Sequence, residues 1–166
     1  MAYISTERVN EMRSEIKKLF PSKDGWKLSI RRRHYSTIVV DILSAPIDLI
    51  TDYRNCLLKD KYNDNERLEV LTRKITNFSI NQYFMKDFLY ANIYDKIFSV
   101  LYKGHYDRSD IQTDYFDVSW YVDLNVGSWD KDFQFIENNK YNYEETKIIN
   151  IGFEDNENSQ PSRINK

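Results

Sequence analysis

Between Asp114 and Val126 the chain alternates in a way only an extended strand can use. Phe116, Val118, Trp120, Val122, Leu124 and Val126 occupy the even positions; Tyr115, Asp117, Ser119, Tyr121, Asp123 and Asn125 occupy the odd ones. Successive side chains of a strand point to opposite faces, so this pattern predicts one buried apolar face and one presented polar face. A helix would scatter the same residues around its circumference. The segment therefore commits the fold to a sheet with a covered side and an open side.

The rest of the chain reads around that strand. Ser5 or Thr6 can cap a helix, and Val9, Met12, Ile16 and Leu19 follow at helical spacing until Pro21, which predicts a helix over 6–20. Trp26, Leu28 and Ile30 alternate with polar residues, and the β-branched run from Thr37 to Leu43 follows after a short turn, so the two form a hairpin. A short helix is expected somewhere within 47–64 and another over 65–76, marked by Leu68, Leu71 and Ile75. A long helix marked by Phe88, Ile93, Ile97 and Leu101 should end near Lys103, with Gly104 beyond it. Tyr83, Tyr90, Tyr94 and Tyr102 fall along this helical stretch as packing residues. Phe133–Ile136 is expected to return beside the main strand, and Ile148–Phe153 reads as a weak strand or docking segment. The expected fold is α+β: an antiparallel sheet of three to four strands with helices packed on one face. Residues 1–153 form a single domain, and the apolar-poor 154–166 reads as a disordered tail.

Composition removes several classes of function. Cys56 is the only cysteine, so no internal disulfide forms, and with two histidines there are too few ligands for a typical structural zinc site. The first residues hold no long apolar run, and no window approaches the length of a membrane span, so a cytoplasmic setting without membrane contact is expected. Charge is uneven. Residues 1–40 carry nine basic and four acidic side chains, whereas 106–166 carry six basic and thirteen acidic ones. Either the two ends compensate each other or a basic patch faces an acidic partner.

Three groups of residues could carry chemistry. Arg31, Arg32 and Arg33, followed by His34 and Tyr35, form the densest basic cluster. Guanidinium groups match carboxylate or phosphate, and an aromatic neighbour can stack on a base; a solvated hairpin tip would need none of that. Asp107, Asp110, Asp114 and Asp117, with His105 beside them, could hold a divalent metal or run acid–base chemistry, yet the spacing lacks the glycine and terminal glutamate of a calcium loop. Turn and capping roles suit these aspartates equally. There is no glycine-rich phosphate loop and no nucleophile elbow. No catalytic residue, metal or cofactor is therefore expected.

Two segments together resemble a known family. Ile4-Ser5-Thr6, Phe20-Pro21, Trp26 to Arg32 and Tyr35-Ser36 come first; His105 to Asp110, Thr113 to Val118 and Trp129-Asp130-Lys131 come later. The pattern is similar to the large polyvalent protein-associated domain family (the LPD29 type) and its free-standing phage relatives, over roughly residues 4–45 and 104–135. The resemblance implies an accessory protein of a bacteriophage or conjugative element, working in the host cytoplasm and plausibly against host defences. It implies no catalytic residue.

Together these observations predict a protein that acts by binding a host protein or defence complex. Arg31, Arg32, Arg33, Tyr115 and Tyr121 are the expected contacts, because arginine and tyrosine are common interface anchors. A nucleic-acid-binding protein using the basic N-terminal region is the alternative, and a metal-dependent hydrolase using His105 and the aspartates is a third. If the hairpin joins the same sheet as the main strand, Lys27 and Arg31 should neutralise Asp117 and Asp123 across it.

Overall fold

A computed structural model describes residues 1–82 and 85–138. The first helix, α1 (Thr6–Leu19), starts where Ser5 accepts a hydrogen bond from the Arg8 amide at 3.1 Å. Glu7 in its first turn and Lys17 and Lys18 in its last suit the helix dipole. Val9, Met12 and Ile16 form its buried stripe. Phe20 and Trp26 close the helix end edge to face, with ring centroids 4.7 Å apart.

Strands β1 (Lys27–Arg33) and β2 (Thr37–Ala45) form the expected hairpin, with Arg31 opposite Val39 and Arg33 opposite Thr37. Its turn places His34 and Tyr35 at positive φ, 50° and 60°. After β2 come α2 (Leu49–Lys59), α3 (Asp64–Thr72), β3 (Phe78–Ile80) and α4 (Ala91–Leu101); β4 (Tyr121–Val126) and β5 (Gln134–Phe135) follow. Every residue of β2 is buried, because it is flanked by strands on both edges. Ile38, Val40 and Ile42 join Leu124 and Val126 of β4 under α1 and α4 in one apolar core. Each such side chain contributes about 1.5–3 kcal/mol on burial. The opposite face of the sheet carries Ser29, Arg31, Arg33, Val39, Asp41, Tyr121, Asp123, Asn125 and Ser79 by register.

The α+β class and the helices on one face of the sheet agree with expectation, but the sheet does not. It has five strands and is mixed, in the order β1-β2-β4-β3, with β4 parallel to β2 and β3 antiparallel to β4. The chain leaves β2 through three helices and a short strand before returning, a connection long enough to reverse direction twice. The β5 segment also differs from expectation: it pairs with β2, not β4, at Ser44–Gln134 and Ala45–Phe135. It resumes along the β2 edge where β4 stops, so residues 127–133 are an excursion between two strands that pair with β2.

The main strand is shorter than its alternation. It begins at Tyr121, and Phe116 is exposed. Asp114 takes a left-handed conformation, φ 54°, and turns the preceding residues back into a narrow ribbon with bridges Asp107–Val118 and Asp110–Tyr115. The long helix starts at Ala91 instead of near Phe88, because a short helical turn at Met85–Asp87 precedes it. The strand expected at Ile148–Phe153 and the 154–166 tail lie outside the described residues.

Candidate binding face

The face of the sheet away from the helices is polar, and hydrogen bonds cross it from edge to edge. Arg31 bonds its diagonal neighbour Asp41 rather than Val39, which stands opposite it. Asp41 accepts a second bond from Asn125 Nδ2 at 2.8 Å, and Asn125 Oδ1 in turn accepts from Ser79 Oγ at 2.7 Å. Arg33 reaches past β2 to Asp123 on β4. The Asp41 side chain is only 3% exposed, whereas those of Arg31 and Arg33 are 46% and 48% exposed. A buried carboxylate is stable only when its lone pairs are met, and Arg31 and Asn125 meet both oxygens. One guanidinium nitrogen of each half-exposed arginine is used in this way.

The 127–133 excursion forms a rim along this face. Gly127 has φ +70°, and a Cβ there would lie 2.7 Å from the Thr76 carbonyl oxygen and 2.8 Å from Asn77 Cβ. Only glycine allows that approach. The Gly127 amide donates to Ile42 O at 2.7 Å, and Phe133 N donates to Thr76 O at 3.0 Å, so both ends are held. Within the loop, Ser128 N donates to Lys131 O at 2.8 Å, Asn77 Nδ2 donates to Ser128 O at 3.2 Å, and Ser128 Oγ donates to Asp130 at 2.7 Å. That last bond holds the Asp130 carboxyl below its usual range. At the crest stands Trp129, 88% exposed.

Two hollows of ≈250 and ≈230 Å³ lie between this rim and the strands. They share Arg31, Asp41, Ser128 and Trp129, so they form one groove across the face. The first extends toward Ser29 and Leu43, and the second toward Arg33 and Ser79.

The expected contacts are divided by this geometry. Arg31, Arg33 and Tyr121 share the polar face. Arg32 points the other way, donating to Ile4 O at 3.1 Å with its guanidinium 4.8 Å from the centre of the Tyr35 ring. Tyr115 is exposed on the ribbon that precedes β4. The cross-strand cation for Asp123 is Arg33, not Lys27 or Arg31, and Asp117 lies on the ribbon before β4 begins.

The 105–117 candidates have local roles. His105 Nε2 lies 2.8 Å from Trp120 O, which makes it the donor, and its ring meets Tyr102 and Trp120 edge-on. Asp107 accepts from the Ser109 amide at 3.0 Å, and its carboxyl is held below the usual range by Ser109. Asp110 accepts from the Gln112 amide at 2.9 Å, Asp114 supplies the left-handed residue, and the Asp117 amide is bonded by Ser109 Oγ. Among the described residues no group of three or more His, Cys, Asp or Glu is placed to hold a metal.

A separate cavity of ≈500 Å³ opens between α2 and residues 86–90. Its buried carboxylate, Asp52, accepts from the amides of Leu89 and Tyr90 at 2.9 and 3.0 Å, and so ties α2 to the approach to α4. Nearby, burial first and Asp52 second push the Cys56 thiol up.

Sequence reasoning missed Trp129 and Asp41 as site residues. Each left a signal: a tryptophan among polar residues with no apolar periodicity around it, and a carboxylate inside an otherwise apolar strand.

Fold and groove define an α+β protein with a polar, ridged sheet face. Compared with family models, curated proteins and solved structures, the chain gives no match, so its residues alone carry the functional argument.

Proposed function

We propose that this chain is an accessory protein of a phage or mobile element that acts by binding a host protein, and that it thereby counteracts a host defence. The observation that carries the binding function is Trp129, presented almost wholly to solvent on a loop anchored at both ends, in a groove it shares with the half-exposed Arg31 and Arg33. Tryptophan, tyrosine and arginine dominate the energetics of protein interfaces, and a pre-ordered loop lowers the entropy lost on docking. An exposed tryptophan contributes nothing comparable to the fold. The phage setting comes only from the resemblance over roughly residues 4–45 and 104–135.

A nucleic acid is the weaker candidate. Arg31 and Arg33 each already hold a carboxylate, so the face lacks the uncompensated basic stripe that a phosphate chain requires. Among the described residues no helix is long and apolar enough to cross a membrane.

Affinity capture from a bacterial host lysate tests this function, using wild type, Trp129→Ala, Arg33→Glu and, as a control, Leu68→Glu on α3. A host protein retained by wild type and by the control, and lost from both face variants, is the expected result. Equal retention by all four proteins, or by none, removes the proposal.

A further inference from the structure

We infer that a groove at the end of α1 is the seat of this chain's own residues 148–157, an apolar run followed by acidic side chains. The inference is separate from the binding function above. Trp26 and Leu28 pack with the apolar core on the helix side of the sheet, whereas Ser29 and Arg31 line the hollow beside Trp129. The groove has a volume of ≈490 Å³. Phe20, Trp26, Leu28 and Ile136 give it apolar walls, and the exposed Lys17 and Lys27 line it too.

Charge distinguishes this groove from the polar face. Arg31 and Arg33 each hold a carboxylate. None of Lys17, Lys18, Lys23 and Lys27 forms an ion pair among the described residues. Asp24 and Glu137 adjoin the groove residues in sequence and offset only two of these four charges. Residues 141–157 hold five acidic side chains and one basic, the complementary sign. Exposed ion pairs are weak, so charge sets the preference and apolar contact supplies most of the attraction. A second copy of the chain would bring the same lysines to the groove and is disfavoured.

Connectivity points to the same segment. Ile136 N donates to Ala45 O at 2.9 Å, and Asn138 Nδ2 donates to Asp24 O at 3.0 Å. The chain therefore leaves the described fold beside the groove, with Ile136 already part of its wall. The ten steps from residue 138 to residue 148 span at most about 35 Å, more than enough to double back. A short tether also raises the effective concentration of the segment to about millimolar. Ile149, Ile151 and Phe153 alternate with Asn150 and Gly152, so an extended seating would turn three apolar side chains toward the walls. Glu154, Asp155 and Glu157 would follow them toward the lysines.

Photo-cross-linking of the purified full chain tests this, with a photo-reactive phenylalanine analogue in place of Phe153. Mixing heavy-isotope and unlabelled chains separates products within one chain from products between two. Mass spectrometry of the digest should place the link within residues 17–28, or at Ile136, of the same chain. Lys17→Glu/Lys27→Glu should lower that yield about three- to tenfold at low salt, the size of two exposed ion pairs. Both lysines are exposed, so this variant keeps its fold. Lys74→Glu/Lys86→Glu reverses two exposed charges that do not line the groove and should leave the yield unchanged. Links elsewhere on the chain, links only between two chains, or a yield that both pairs of reversals change equally would overturn the inference.

Discussion

The rim of the groove depends on one glycine, and replacing it separates two kinds of strain. Gly127→Ala places a methyl group 2.7 Å from the Thr76 carbonyl oxygen, at a φ of +70°. The left-handed conformation alone costs an alanine about 1–2 kcal/mol. Relieving the overlap requires the loop to move off Thr76 and Asn77. That endangers the bonds from Gly127 N to Ile42 O and from Phe133 N to Thr76 O, each contributing about 1 kcal/mol net. The expected loss is therefore about 2–4 kcal/mol, or a fall of roughly 1–2 M in the urea midpoint. Gly104→Ala is the control. Its φ is also positive, +76°, but the nearest atom to the new methyl group is Arg8 NH2 at 4.0 Å. It should lose only the conformational cost, about 1–2 kcal/mol. Urea unfolding followed by circular dichroism measures both. If Gly127→Ala costs no more than Gly104→Ala, the loop is not seated on Thr76 and the rim is not pre-ordered.

Other consequences follow from the same geometry. Of the three tryptophans only Trp129 is exposed, with Trp26 and Trp120 at 3% and 8%, so acrylamide should quench one component of the emission and Trp129→Phe should remove it; uniform quenching of all three would contradict the burial. Asp52→Ala leaves the Leu89 and Tyr90 amides without their carboxylate and should cost about 2–4 kcal/mol in a denaturant titration; a loss below about 0.5 kcal/mol would show that the bracket is dispensable. The Asp130 carboxyl should titrate below the ordinary value of 3.8 by NMR and move back toward it in Ser128→Ala. Because that value is lowered in the fold, its contribution is present above the ordinary carboxylate pKa and is lost as pH falls through the lowered one. The Cys56 thiol, pushed up by burial, should alkylate with iodoacetamide more slowly at neutral pH than glutathione does.

Local features of the fold were legible in the sequence, and long-range ones were not. The Ser5 cap, the Val9–Met12–Ile16 stripe and the β1–β2 hairpin follow from neighbouring residues, and each appears where the spacing places it. The alternation up to Val126 marked the strand but not its start, because Tyr115 and Val118 keep the side-chain pattern while bridging Asp110 and Asp107 in the preceding ribbon instead of joining the sheet. Parallel pairing of β2 with β4 joins residues more than eighty positions apart, and periodicity carries no information about which strands meet. The polar face was legible as a face carrying Tyr121 with Arg31 near it; that Arg33 shares it follows only from the register of the hairpin. The split between Arg31 and Arg32 follows from strand parity, which sends Arg32 toward Ile4. Trp129 stands out in the sequence as a tryptophan among polar residues, but only the excursion between β4 and β5 brings it to the groove.

The central claim is that partners dock on the groove beside Trp129. A photo-reactive phenylalanine analogue placed at position 129, and separately at Tyr62, an equally exposed residue in the connection between α2 and α3, tests it in living bacterial host cells. Irradiation should join a host protein to the position-129 chain and not to the position-62 chain, and Arg33→Glu should abolish the product. A product of equal yield from both positions, or one that survives Arg33→Glu unchanged, would contradict the account.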